Sequence, residues 1–296
     1  MTSLDKRVVV ITGASRGIGR GIARVFGAAG DVVYLLGRTH AAGRLAGQNE
    51  MPLPGTLEEA AAEVSRAGGT GHIIPCDLAV DAEIAAAFAQ IRRQSGRIHI
   101  LVNNAAFIHT ASGTPGPFWK RPVEMANIID VGLRCHFVAS WHAAPLLAEA
   151  GRGLLVNISF FTDSGLHDPA YCAAKAGLDR LTMAFAEDFR PVGVAAISLW
   201  PGIVATERVS LIAEQLPWLK EQLPGFETPD FLGLVIRSLY EHKDLPSLSG
   251  KILIAAEWAA RQGITDLDGR PRVSCRAQFG SPPVALDALG TPSSTA

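Results

Sequence analysis

Tyr171 and Lys175 stand four residues apart in a run that reads as helix, with Ala173, Ala174, Ala176, Gly177, Leu178 and Leu181 around them. At that spacing two side chains share one helix face, about 5–6 Å apart at Cβ. A phenol so placed can exchange a proton with a substrate oxygen. Its ordinary pKa of about 10 is too high for an efficient base at neutral pH, and a nearby ammonium favours the phenolate. The competing reading is a surface Tyr–Lys pair on an ordinary helix. What favours chemistry is the segment at the other end of the chain.

Arg7 to Thr12 (RVVVIT) is a continuous, β-branched apolar run, the pattern of a parallel strand buried on both faces. Gly13, Gly17 and Gly19 follow in a G-x-x-x-G-x-G turn, and then Ile18, Ile22, Val25, Phe26 and Ala29 recur at helical spacing. Strand, glycine turn and helix together make a phosphate cradle. Glycine lets the backbone approach, and the helix start offers free N–H groups in a favourable dipole. A turn used only for tight packing is the alternative. Val32 to Leu36 reads as a second strand, followed by Gly37-Arg38. An acidic residue near this point would hydrogen-bond a ribose 2′-hydroxyl. Here glycine leaves room, Arg38 can pair with a 2′-phosphate and Arg16 can assist, which points to NADP(H) over NAD(H); the alternative is that either arginine is simply solvated.

The rest of the chain supplies further strands and helices in alternation. Residues 39–55 read as an exposed loop containing Gly43, Gly47, Pro52, Pro54 and Gly55, and a helix starts near Thr56. Strands are predicted at His72–Pro75, Ile98–Val102, Gly153–Ser159, Val194–Trp200 and Lys251–Ala255. Helices are predicted at Ala82–Gln94, from about Val123 to Ala150, from Tyr171 to about Arg190, and near Pro229–His242. Asp77 at a strand end can cap a helix or touch an adenine. Asn103-Asn104 can tie strands together and line a crevice, or form an Asx turn. The pattern predicts a single-domain, doubly wound, parallel α/β sheet of Rossmann type with about seven strands. The domain covers residues 1–273, with 207–228 as a lid broken by Pro217 and Pro224, and 274–296 as a loose tail.

Composition excludes several classes. The net charge of −1 gives no basic footprint for nucleic acid. Cys76, Cys135, Cys172 and Cys275 form no C-x-x-C pair, which fits reduced thiols in a cytoplasmic protein. No signal-peptide pattern opens the chain, and no apolar run reaches the ~18 residues of a membrane span. Eight histidines include no H-E-x-x-H or close pair, so no metal site is predicted. His109 and His167 fall in loops where they could meet a substrate. Trp119, Phe160, Phe161 and Trp218 could line an apolar pocket.

Taken together, Thr12-Gly13-Ala-Ser-Arg-Gly17-Ile-Gly19, Asn103-Asn104-Ala105, Ser159, Tyr171-x-x-x-Lys175 and Pro201-Gly202-x-x-x-Thr206 resemble the short-chain dehydrogenase/reductase family over roughly residues 5–255. Asp130–Arg134, Ser198–Ile203 and Asp266–Pro271 look like its dehydrogenase/reductase member 1 group, whereas Gly55–Ala60 looks more like hydroxysteroid-dehydrogenase-like proteins. The resemblance implies an oxidoreductase working on a carbonyl/alcohol pair, with Tyr171 as acid/base, Ser159 polarising the oxygen, and Lys175 holding the nicotinamide ribose and lowering the Tyr171 pKa. It also implies that Gly13, Ser15, Arg16, Ile18 and Gly19 hold the pyrophosphate and adenosine side. Arg38 would take the 2′-phosphate, Asp77 and Leu78 would flank the adenine, and Asn104 would sit near the nicotinamide ribose. Ile203 and Thr206 would contact the carboxamide and phosphate end. A homo-dimer or tetramer through the long helices is expected.

Two departures stand out. Ser159 lies twelve residues before Tyr171 where the family usually has thirteen, and Phe160 follows it; Ser164 is the fallback. The family's assisting asparagine, which anchors a water in the proton relay, aligns with Gly132. These departures motivate an alternative: a cofactor-binding regulatory or scaffold protein with little catalysis.

Overall fold

The seven strands are β1 (Val8–Thr12), β2 (Val32–Gly37), β3 (Thr70–Pro75), β4 (Ile100–Asn103), β5 (Gly153–Ile158), β6 (Val194–Trp200) and β7 (Ile252–Ile254). In this computed structural model they form one sheet in the order β3-β2-β1-β4-β5-β6-β7, every neighbouring pair parallel. Residues 6–40, 51–162 and 168–282 are described; Gly43, Gly47, Ser164 and His167 lie outside them. β1, β4, β5 and β6 are buried along their whole length, as their unbroken apolar runs require.

Helices cover both faces. On one side α1 (Gly17–Ala28), α2 (Leu57–Arg66), α8 (Pro229–Glu241) and α9 (Ala255–Gln262) close a core that includes Ile11, Phe26, Leu57, Phe231 and Trp258. On the other, α3 (Asp81–Ser95), α4 (Cys135–Ala148) and α5 (Pro169–Phe189) close a core around Val10, Phe88, Leu147 and Phe189. α1 and α8 touch at backbone distance. A Cβ on Gly21 would fall 2.2 Å from the Pro229 carbonyl carbon, and one on Gly233 would fall 2.8 Å from Val25. Strand order reverses between β1 and β4, so a crevice opens at their carboxyl ends.

Several expectations need correcting. The helix predicted over 123–150 is segmented: a 3-10 turn at Val123–Ala126, one α turn at Asn127–Ile129, a π segment at Asp130–Arg134, then α4. Gly132 sits in the π segment, against the Ala174 methyl of α5. α9 follows β7 without a loop: Ala255, the end of the predicted strand, is the first residue of a helix that the sequence reading does not include. The start of the expected loose tail is packed: Arg276 pairs with Glu257 at 2.7 Å and Phe279, in α10 (Arg276–Phe279), is buried. The segment 207–228 contains α6 (Glu207–Ala213) and α7 (Pro217–Gln222), largely half-buried or exposed.

Candidate active site

Gly13 and Gly17 take left-handed backbone angles (φ 68° and 53°), which favour glycine. A Cβ on Gly19 would fall 2.4 Å from the Gly13 carbonyl oxygen and 2.7 Å from Asn104 Nδ2, so the turn closes only with glycine there. Asn104 fastens it from β4, donating Nδ2 to the Thr12 and Gly13 carbonyls at 2.9 and 3.2 Å. Thr12 Oγ1 accepts from the Asn104 and Ala105 amides at 2.9 and 3.1 Å. The adjacent Asn103 is the strand tie. Its Nδ2 donates to Asn157 Oδ1 and Ser140 Oγ, both at 2.9 Å, and Asn157 donates on to Thr182 of α5.

A cleft of about 710 Å³ runs over this turn, lined by the predicted Gly13, Ser15, Arg16, Ile18, Arg38, Asp77, Leu78, Asn104 and Thr206. At its β2 end Arg16 donates to Thr39 Oγ1 at 3.1 Å and to the Gly55 carbonyl at 3.0 Å. Met51, Pro52 and Leu53, expected in a merely exposed loop, also form its wall. Asp77 caps its own turn, Oδ1 accepting from the Ala79 amide at 3.0 Å. Glu207, not singled out from the sequence, reaches into the cleft, where its Oε2 accepts from the Gly17 amide at 2.9 Å. The signal for it is modest: an acid in the first turn of α6 directly after the capping Thr206.

Phe107 links this cleft to the Tyr171–Lys175 pair. It lines the cleft and also packs, with Tyr171, Leu133 and Ala170, on the cluster of Met125, Ile128 and Ala174. α5 starts sharply because Asp168 caps it, accepting from the Ala170 amide, with Pro169 at the first helical position. Arg121 from the 107–122 loop holds the Asp168 carboxylate at 2.6 Å. One turn in, Lys175 Nζ lies over the Tyr171 ring, 5.6 Å from its centroid, and donates to the Ile158 carbonyl at 2.8 Å. Burial pushes the Lys175 ammonium down to about 8, with Asp179 pulling the other way. Burial pushes the Tyr171 phenol above its ordinary value, and Cys172 adds to this.

Ser159 is buried, and its Oγ donates to the Lys175 carbonyl at 3.0 Å. Its hydroxyl is therefore engaged within the β5–α5 interface, not in an open oxygen-binding position. Phe160 instead packs on Phe161 and Phe279, and Ile203 joins the same cluster. Phe161 is core, whereas Trp119 and Trp218 are exposed, so the predicted four-aromatic pocket does not assemble. His109 is buried and turned into its own loop, Nδ1 accepting from the Ala111 amide at 2.9 Å. Behind Pro201-Gly202 stands a residue the sequence did not flag. Glu227 is buried, its Oε1 accepts from the Gly202 amide at 2.9 Å, and its backbone bridges Ile203 and Ala205. Burial pushes its carboxyl up to about 8. Among the described residues no group of three or more could hold a metal ion, and no helix is long and apolar enough to cross a membrane.

The sequence profile described as short chain dehydrogenase matches residues 7–217. The chain is 37% identical over 281 residues to the human dehydrogenase/reductase SDR family member 1, covering 90% of this chain and 85% of that protein. The mouse counterpart is 36% identical over 283 residues, covering 90% and 84%. A crystal structure of a putative dehydrogenase from Xanthomonas campestris superposes with a TM-score of 0.74 at 28% identity, covering 90% of this chain and 96% of that one. With the glycine cradle, the Asn104 tie and the Tyr171–Lys175 helix in the family's order, the chain belongs to the short-chain dehydrogenase family of oxidoreductases, which use a nicotinamide cofactor.

Proposed function

We propose that the protein is an NADP(H)-dependent oxidoreductase interconverting a carbonyl and an alcohol on a mostly apolar substrate. The observation that carries this reading is the Tyr171–Lys175 pair, with a buried ammonium, joined by Phe107 to a cleft whose glycine turn fits a dinucleotide. This reading is supported by the Gly17 amide, which already donates to a carboxyl oxygen, Glu207 Oε2. A bound nicotinamide supplies the hydride chemistry. The chain does the rest. Gly13, Ser15, Ile18 and Gly19 cradle the pyrophosphate, and Arg16 with Arg38 and Thr39 receives the 2′-phosphate. Asp77 and Leu78 flank the adenine, and Asn104, Ile203 and Thr206 fix the nicotinamide end. Tyr171 holds the proton at its phenol oxygen, giving it to the substrate oxygen in reduction and taking it in oxidation. Lys175 orients the ribose; its ammonium stands over the Tyr171 ring, but burial dominates and holds the phenol above its ordinary pKa, against the lowering by Lys175 that the family resemblance implies. Ser159 fixes the Lys175 backbone, and it could polarise the substrate oxygen only after releasing that carbonyl.

A trough between α3, α4 and α5, lined by Phe88, Phe137, Trp141 and Phe185 with Phe137 and Trp141 exposed, supports a homo-oligomer through the long helices. None of the four cysteines forms a disulfide, which supports a reducing, cytoplasmic setting. A second reading, cofactor binding with little turnover, is favoured by one specific observation: the Ser159 hydroxyl is engaged with Lys175 while Phe160 fills the next position. NADPH oxidation over a panel of aldehydes, ketones and quinones, with Tyr171→Phe alongside, separates the two. The first reading expects turnover that falls about 10²–10⁴-fold in the variant. Bound NADPH with no turnover by either protein selects the second.

A further inference from the structure

The start of α1 already carries an anion that comes from far along the chain. The Gly17–Glu207 bond spans 190 sequence positions. A Cβ on Gly17 would fall 3.3 Å from Thr206 Cγ2 and 3.7 Å from the same Glu207 oxygen, so the Thr206–Glu207 segment lies directly on the glycine turn. Within α1 the first turn holds no acidic residue, and its N-cap, Arg16, makes no side-chain cap hydrogen bond. Free amides and the helix dipole stabilise one negative group there, and a second brought to the same point is repelled.

Glu207 is also where the lid begins. It is the first residue of α6, whose N-cap Thr206 accepts from the Val209 amide at 3.4 Å. The carboxylate on Gly17 therefore ties the first turn of α6 to the floor of the cleft. A dinucleotide whose diphosphate takes the α1 amides meets this tie before anything else.

We propose that Glu207 is a resident counter-anion: its carboxylate caps α1 in the unloaded protein, the cofactor diphosphate displaces it, and loading the cofactor thereby releases the first turn of the lid. This rests on the nicotinamide-dinucleotide reading above and adds a cost to it. Part of the affinity of the cleft is used to expel the carboxylate, and because coupling is reciprocal, whatever holds α6 down weakens cofactor binding.

The test uses the full chain as wild type, Glu207→Gln and Glu207→Ala. NADPH and NADH affinities are measured by fluorescence titration, and amide hydrogen exchange is followed over residues 207–213. Thermal melts confirm that each form is folded. The expected result is 5- to 30-fold tighter NADPH binding by Glu207→Gln, which keeps the shape and loses the charge. Unloaded Glu207→Ala should show the exchange pattern of residues 207–213 that the wild type shows only when loaded. Binding by the wild type with equal or weaker affinity in Glu207→Gln overturns this inference and leaves the cofactor reading standing. Failure of all three forms to bind either nucleotide overturns the cofactor reading and this inference with it.

Discussion

The Lys175 ammonium lies 5.6 Å from the centroid of the Tyr171 ring and donates its hydrogen bond to Ile158, a strand carbonyl, at 2.8 Å. The two side chains are neighbours on one helix face, as their spacing requires, but the ammonium is anchored to β5. Its burial, more than its partner, sets its protonation.

That burial makes a prediction about stability. Lys175 has a folded pKa of about 8 against an ordinary 10.5. Between these values the unfolded chain binds the proton and the folded one does not, so stability rises as pH climbs from 8 to 10.5. Below pH 8 the full cost is present, about 3 kcal/mol for a shift of this size. Lys175→Met should therefore gain most over wild type below pH 8, less the ~1 kcal/mol of the Ile158 hydrogen bond, and lose that advantage toward pH 10.5. Urea melts of both proteins at pH 7, 9 and 10 check this; a pH-independent difference would contradict it.

Glu227 gives the opposite slope. Its carboxyl has an ordinary pKa of 4.5 and a folded value of about 8. The folded protein holds the proton more tightly, so this group's contribution is fully present below 4.5 and is lost as pH rises through 8. Glu227→Gln stays neutral throughout. Relative to that variant, wild type should lose about 4 kcal/mol between pH 5 and pH 9, read as diverging melting temperatures.

Cofactor choice is predicted to turn on Gly37. The atoms nearest a Cβ there belong to the Leu57 side chain, at 3.5 Å or more, so the Cβ of Gly37→Asp meets no backbone clash. The new carboxylate would repel a 2′-phosphate and accept from a 2′-hydroxyl. The NADPH-to-NADH affinity ratio should fall at least about tenfold, the size of one charge-assisted hydrogen bond. Parallel titrations with both nucleotides would measure it, and an unchanged ratio would sink the NADP(H) assignment.

Gly21 tests the α1–α8 crossing. Its Cβ position is 2.2 Å from backbone of Pro229, which cannot swing aside. Gly21→Ala should destabilise by about 2–3 kcal/mol, read from the urea midpoint, and weaken cofactor binding if α1 carries the proposed phosphate cradle. A folded variant of wild-type stability would show that α8 slides freely on α1.

What was legible in the sequence is what local pattern controls. The unbroken apolar runs at Val8–Thr12 and Val194–Trp200 became central strands, and the glycine turn and Asn104 meet at the expected crevice. What was hidden depends on contacts between distant segments or on the exact pleat of a strand end. Glu207 reaches Gly17 from 190 positions away, and no periodicity announces it. The inward hydroxyl of Ser159 follows from which way its side chain leaves β5. The π segment around Gly132 interrupts a helix whose composition reads as continuous, and α9 begins directly at the end of β7 with no turn residue to mark its start.

Asp179, one turn beyond Lys175, accepts from Ser198 Oγ at 2.5 Å and Trp200 Nε1 at 3.1 Å, while Ser159 grips the Lys175 carbonyl from β5. α5 is thus riveted to the ends of two adjacent strands at Lys175 and one turn beyond it. The opposite bank is built from the 107–126 loop and α6–α7, which rest on far fewer buried groups. On the oxidoreductase reading proposed above, the chamber is a vice with one stationary jaw. Substrates of different girth are then accommodated by the other jaw, so variation in what this protein accepts should be written into residues 107–126 and 207–228, while Tyr171 and Lys175 keep the same address in every complex.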